Sequence, residues 1–196
     1  MLSELRGTIQ NGVLKYFMVR NTYIYPPWKL LHRVTTNVMG YALVNMTLFN
    51  SVRVLGYHMQ DDGANSAFEL AFTISDGLEY VRTSIEENNL KVDDVAPRLS
   101  FFWGIGMSFY TDIAKMKGKK RILEKLMKEQ YQPQNSKSLL LRAHCQTSGY
   151  SLMECQLSSN VVCTSVEALA TAMWGDEIPP YQLIRRGGRI SHPAIG

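Results

Sequence analysis

The chain has few cysteines, a modest density of charge and no long apolar run, and each shortage closes a class of explanation. Its three cysteines, Cys145, Cys155 and Cys163, are an odd number without a framework spacing, which argues against a secreted disulfide scaffold. No two of them stand in a CxxC arrangement, so a structural zinc site is not indicated. No stretch approaches the ~20 apolar residues of a membrane span. Met1–Arg6 has neither the make-up of a signal peptide nor that of an Arg-rich, acid-poor transit peptide. Charged residues are 19% of the chain and apolar residues 45%, a balance that belongs to globular rather than disordered sequences. The positive surplus is only +4, and no Arg-rich stripe with interleaved aromatics marks a nucleic-acid surface. The densest basic cluster, Lys115, Lys117, Lys119, Lys120 and Arg121, reads first as the solvated face of a helix. Walker loops and dinucleotide fingerprints are missing, as are the paired carboxylates of glycoside hydrolysis and any triad of metal ligands.

What the chain does have is a rhythm. Val52–Gln60, VRVLGYHMQ, reads as a buried strand within Phe49–Tyr57 that stops abruptly at Gly56, Tyr57 and His58. Gly7–Asn11, Val95–Phe102 and Ser138–His144 read as further short strands. Their polar ends fall near Gln10, His58, Arg98 and His144, at intervals of 40 to 48 residues. Helical spacing fills the gaps. It is weak over Trp28–Met46, and clear where Ala67, Leu70, Ala71, Ile74, Leu78 and Val81 form one stripe. It recurs over Met107–Tyr131, with Met107 and Tyr110 among the apolar positions, and from Val162 to Met173. Continuous apolar runs of this length suit parallel strands covered on both sides. About four parallel βα units result, enough for half of a (β/α)8 barrel or for a small doubly wound sheet. Residues 1–174 make one such domain. Gly175–Gly196, rich in Gly and Pro without a period, reads as an irregular tail.

A βα repeat gathers its strand ends on one face, and sites form there. Thr8 and Gln10 are short polar groups at the first strand end, suited to local capping or to holding a carbonyl. Arg20 can clamp a carboxylate, or serve as a surface ion pair. His58 can donate a hydrogen bond or a proton, or support the shell of a site. Arg98 and Ser100, two apart, read as a cation and a hydroxyl on one side of a strand. His144 and Gln146 repeat that spacing, with Cys145 facing away, buried and inert. Such a set suits the positioning of a carbonyl and an anion in a reaction whose hard chemistry a cofactor performs.

Particular strings carry a resemblance to a known family. GTIQN (7–11), FMVRNTYIYPP (17–27), GYHMQ (56–60), DGLEYVRT (76–83), APRLSFFWGIGMSFY (96–110), NSKSLLLRAHCQTSGYSL (135–152), NVV (160–162) and VEALA (166–170) are similar to the middle of the substrate-binding barrel of the methylmalonyl-CoA mutase family. The resemblance implies a partial (β/α)8 barrel, an acyl-CoA substrate and an adenosylcobalamin radical route from methylmalonyl-CoA to succinyl-CoA, in the mitochondrial matrix of eukaryotes. By motif position, Gln10 and His58 would hydrogen-bond the thioester carbonyl, and Arg20 would pair with the substrate carboxylate, with Thr8 nearby. Arg98 and Ser100 would hold CoA, and His144, Gln146 and Asp61 would lie on the adenosylcobalamin side. Asp61 stands where the family has glutamate after GYHMQ, and Tyr150 where it has tryptophan after TSG. The family's SLHTN-type segment and its cobalt-ligating DxHxxG motif have no counterpart in this sequence. The resemblance thus also implies an alternative: an inactive product that retains CoA binding or docks on a full-length mutase subunit.

Overall fold

In the computed structural model, residues 2–20, 26, 29 and 31–173 are described. A 3-10 turn, Leu2–Glu4, precedes strand β1, Gly7–Thr8. Helix α1, Val13–Lys15, runs into a π-helical turn, Tyr16–Arg20. A second π turn, Leu31–Thr35, leads into α2, Thr36–Asn45. Strand β2, Phe49–Asn50, and strand β3, Val52–Leu55, are one track broken at Ser51. A short helix, α3, Tyr57–Asp61, follows at once. The long helix α4, Ser66–Asn88, starts on Asn65, whose side chain accepts from the Ala67 and Phe68 N–H groups, and stops at Asn89 in the left-handed region. A short turn of helix, α5, Val92–Val95, leads through a 3-10 turn to β4, Leu99–Ile105. Then come α6, Phe109–Tyr131, strand β5, Ala143–Thr147, and α7, Leu157–Met173.

All strand pairs are parallel. β1 pairs with β2, and β3, β4 and β5 form a second sheet in that order. The alternation of β4 sorts the interior. Leu99, Phe101, Trp103 and Ile105 point to the helices and join Val52, Val54, Ile74, Tyr80, Val81, Met116, Leu123 and Met127 in one core. Phe102 lies on the other face with Leu55 and Tyr57. This is an α/β fold of four strand tracks interleaved with helices. Its sheets are open, and among the described residues the outer edges of β1 and β5 have no strand partner, as in part of a βα barrel.

Several sequence expectations shift. The run predicted as strand through Tyr57 ends at Leu55, because Gly56 begins a helical turn that takes Tyr57 and His58 with it. The strand predicted over Val95–Phe102 is displaced to Leu99–Ile105. Pro97 fits the first turn of a 3-10 helix, and residues 95–98 are helical. The strand predicted over Ser138–His144 is displaced to Ala143–Thr147, since Leu139 and Leu141 pack against the core from a turn and its extension. On α4 the stripe is less apolar than expected. Ala67 and Ala71 face solvent, while Glu69, Thr73, Asp76 and Gly77 are buried. Met107, which precedes α6, and Tyr110 in its first turn are exposed at 50% and 84%. The basic cluster is not one solvated face: Lys115 and Lys119 are buried, at 4% and 0% exposure. The predicted tail lies outside the described residues, and no described helix is long and apolar enough to cross a membrane.

Candidate functional site

The face of the sheet turned away from the helices carries, by alternation, Arg53 and Leu55 of β3, Ser100, Phe102 and Gly104 of β4, and His144 and Gln146 of β5. Phe102 is its centre. Tyr57 stacks on it with ring centroids 4.9 Å apart, His144 lies 4.8 Å away, and His58 approaches edge-on at 6.4 Å. The Arg53 guanidinium stands 5.5 Å from the Phe102 ring centroid. Burial holds the His144 imidazole below the usual histidine range, and the nearby Arg53 charge lowers it further. His144 is therefore a neutral hydrogen-bonding group near neutral pH.

Tyr57 fixes the top of this face. Its hydroxyl accepts from the Gly149 N–H at 3.1 Å, which ties the segment after β3 to the loop after β5. Burial raises the Tyr57 phenol. Burial also raises the Asp61 carboxyl, opposed by hydrogen bonds from Tyr57 and Ser148. Asp61 and Gln146 thus share one rim with Tyr57.

The helix side of β4 holds a buried ionic network. Lys115 Nζ contacts Glu69 Oε2 at 2.7 Å and Asp112 Oδ1 at 2.9 Å, and donates to the Gly104 carbonyl at 2.7 Å. Glu69 accepts from the Gly104 N–H at 2.9 Å, and Asp112 from the Gly106 N–H at 3.0 Å. Burial raises the Glu69 carboxyl, and Lys115 is the main opposing charge. Lys119 Nζ lies 2.9 Å from Met116 Sδ and 4.7 Å above the Trp103 ring, and burial pushes its ammonium down to about 7. Cys145 points to this side, its Sγ 3.9 Å from Met116 Sδ, and burial raises its thiol, as the alternation predicts for an inert cysteine.

The nine residues predicted for the site divide. His58, Asp61, His144 and Gln146 come together at the Tyr57–Phe102 cluster. Ser100 is on the same face two residues lower, its hydroxyl 3.4 Å from the Val52 carbonyl. Thr8 closes β1 opposite Asn50, and Gln10 follows two residues later, exposed. Arg20 closes the π turn, and its side chain lies outside the described structure. Arg98 is the correction. It precedes β4, at the opposite end of the strand from the rim, and donates to the Met46 and Phe49 carbonyls at 3.2 and 3.3 Å. Because residues 96–98 are helical, Arg98 and Ser100 do not share a strand face, and the predicted common rim of Gln10, His58, Arg98 and His144 does not form. Arg53 and Tyr57 join this face although the strand-end reading does not include them. Arg53 was legible as a basic residue inside the apolar alternation VRVL, which must point opposite to its valine neighbours.

Fold and face together define a partial parallel βα barrel whose inner sheet face gathers imidazole, guanidinium and amide groups about the Tyr57–Phe102 pair. The chain belongs to the methylmalonyl-CoA mutase family, whose pattern matches residues 1–177. It is 52% identical over 174 residues to the mitochondrial methylmalonyl-CoA mutases of Mus musculus and of Homo sapiens, covering 89% of this chain and 23% of each relative. It is 48% identical over 167 residues to the methylmalonyl-CoA mutase large subunit of Propionibacterium freudenreichii subsp. shermanii, covering 85% of this chain and 22% of that one. The chain thus spans under a quarter of the length of these curated relatives.

Proposed function

We propose that this chain binds an acyl-CoA on the inner face of its sheet and does not, alone, complete the mutase isomerisation. The observation that carries this reading is the single face shared by Ser100, Phe102, His144 and Gln146, with His58 at its rim. On this reading His58 and Gln10 hydrogen-bond the thioester carbonyl, and Arg20 pairs with the acyl carboxylate beside Thr8. Ser100 and Arg98 serve the CoA chain. β4 has seven residues, and at ~3.3 Å each the strand is about 20 Å long, so one extended thioester lying along it meets groups at both ends.

Adenosylcobalamin, which the family implies, supplies the radical when bound. Asp61, His144 and Gln146 offer donors and acceptors suited to an adenosyl ribose at the rim. Among the described residues no group of three His, Cys, Asp or Glu is placed to hold a metal ion, so these residues fit the adenosyl group and not the cobalt. Radical chemistry needs a pocket closed to water and oxygen, and an open sheet of four tracks does not enclose one. The relatives named as mitochondrial support a mitochondrial setting. A second reading, docking on a full-length mutase subunit, draws on the outer edge of β5, which has no strand partner among the described residues.

Titration calorimetry with coenzyme A, followed by a mutase assay with adenosylcobalamin and methylmalonyl-CoA, tests this. Stoichiometric CoA binding without turnover is expected. Loss of the first result removes the binding reading, and steady turnover removes the claim of incompleteness. Co-purification with a full-length mutase decides the second reading.

A further inference from the structure

We infer that Arg53 is an anion-anchoring residue on the inner face, with the Asn11 carboxamide as a second donor beside it. This rests on the reading of that face as an acyl-CoA surface, and it names the group that would recognise the ligand's charge.

Arg53 lies between Val52 and Val54, both in the helix-side core, so its side chain must emerge on the inner face. There it stands in register with Ser100 and over Phe102. Its Nε is buried without a hydrogen-bond partner, and among the described residues no carboxylate pairs with it. A guanidinium remains charged in proteins, and a partly desolvated cation without a counter-charge is costly. His144 faces the same Phe102 ring and is itself lowered by Arg53, and an imidazole adds no negative charge. Asp61, the acid of this rim, is committed to Tyr57 and Ser148.

A second donor has the same deficit. Asn11 Nδ2 is buried and unpartnered. It precedes Gly12, which packs so tightly on β3 that a Cβ there would stand 3.1 Å from the Arg53 carbonyl oxygen and 3.1 Å from Leu55 Cδ1. Two donors on packed segments, β3 and the Asn11–Gly12 stretch beside it, lack an acceptor, and one of them is a cation. The chemistry that satisfies both is an anionic oxygen, a carboxylate or a phosphate, each of which takes a guanidinium in bidentate fashion.

The experiment compares the 196-residue chain with its R53Q and R53K variants. Binding of coenzyme A, acetyl-CoA and succinyl-CoA is measured by calorimetry, with thermal melts as the folding control. R53Q should weaken binding roughly 10- to 100-fold, and R53K should recover part of it, keeping the charge without the fork. A loss confined to succinyl-CoA assigns the acyl carboxylate, and a loss for all three assigns a phosphate. Unchanged affinity of a folded R53Q for every ligand overturns the inference while leaving CoA binding intact. Failure of the unmutated chain to bind CoA overturns the functional reading instead. The Arg53 site is then decided by its Nε–H resonance under titration with pyrophosphate and with succinate, and absence of a shift overturns it. The same resonance in the unmutated chain serves if R53Q does not fold.

Discussion

Replacing Lys115 by methionine tests whether the ionic network behind β4 sets the stability of the site. The three hydrogens of its ammonium are spent on Glu69, Asp112 and the Gly104 carbonyl, and the side chains of all three ionic residues are at most 2% exposed. Methionine keeps the length of the stem and removes the charge. Two buried carboxylates then face each other with no cation between them, and the Gly104 carbonyl loses its donor. Breaking a buried pair by removing one partner costs about 3–5 kcal/mol. With a urea slope of about 2 kcal/mol per molar, the unfolding midpoint should fall by about 1.5–2.5 M. The fully buried Trp103 supplies a fluorescence signal for the transition. Because burial raises the Glu69 carboxyl and Lys115 opposes the rise, the cost should be smaller at pH 5 than at pH 8, the direction in which protonation of Glu69 relieves the unpaired charge. A second variant, E69L/K115M, should recover part of the loss, since it leaves fewer unpaired charges. A cost below about 1 kcal/mol at both pH values, with the native fold kept, would refute the reasoning.

Glu167 on α7 is 1% exposed, and burial pushes its carboxyl up to about 7 against the hydroxyls of Thr147 and Ser151. A raised acid holds its proton in the fold after the unfolded chain has released it, so stability should fall as pH rises from about 4.5 to about 7. E167Q should flatten that decline in urea titrations at stepped pH. Lys119 works in the other direction. Lowered to about 7, it binds fewer protons folded than unfolded, so its share of stability grows as pH climbs from about 7 towards 10.5, and K119M should remove that rise. His144 should titrate below the usual histidine range in NMR, and R53Q should bring it upward, since Arg53 is one of the two causes of its depression. With a thiol reagent at neutral pH, exposed Cys155 should react first and Cys145 only on unfolding, because Cys145 is held in the core and its thiol is raised.

The parallel βα rhythm was legible because each track is a short apolar run followed by a long amphipathic segment. The opposed facing of His144 and Gln146 against Cys145 followed from alternation alone, and β5 displays it. The burial of Lys115 and Lys119 was not legible. Four residues apart on α6, they read as solvated until Glu69, 46 positions away from Lys115 in sequence, is folded against them. No local pattern announces that pairing. Arg98 was misplaced for a different reason: Val95 and Ala96 look like the start of a strand, yet they are buried in helical turns beneath the sheet. Hydrophobicity reports that a residue is covered, not which backbone covers it.

Gly104 is where the two sides of β4 meet. Its N–H serves Glu69 and its carbonyl serves Lys115, both on the helix side. Its absent side chain leaves room on the other side for Gln60, since a Cβ there would come within 1.6 Å of Gln60 Oε1 and 2.6 Å of its carboxamide carbon. Gln60 belongs to α3, the same short helix that presents His58 and Asp61. Any change in the charge state of Glu69 or Lys115 therefore pulls on a backbone unit that has α3 resting on its opposite face. The ionic network is thus part of how the inner face is held. A variant such as K115M should disturb the environment of His58 as well as lower the melting point, whereas E167Q, which does not touch Gly104, should change stability with pH and leave the His58 resonance where it was.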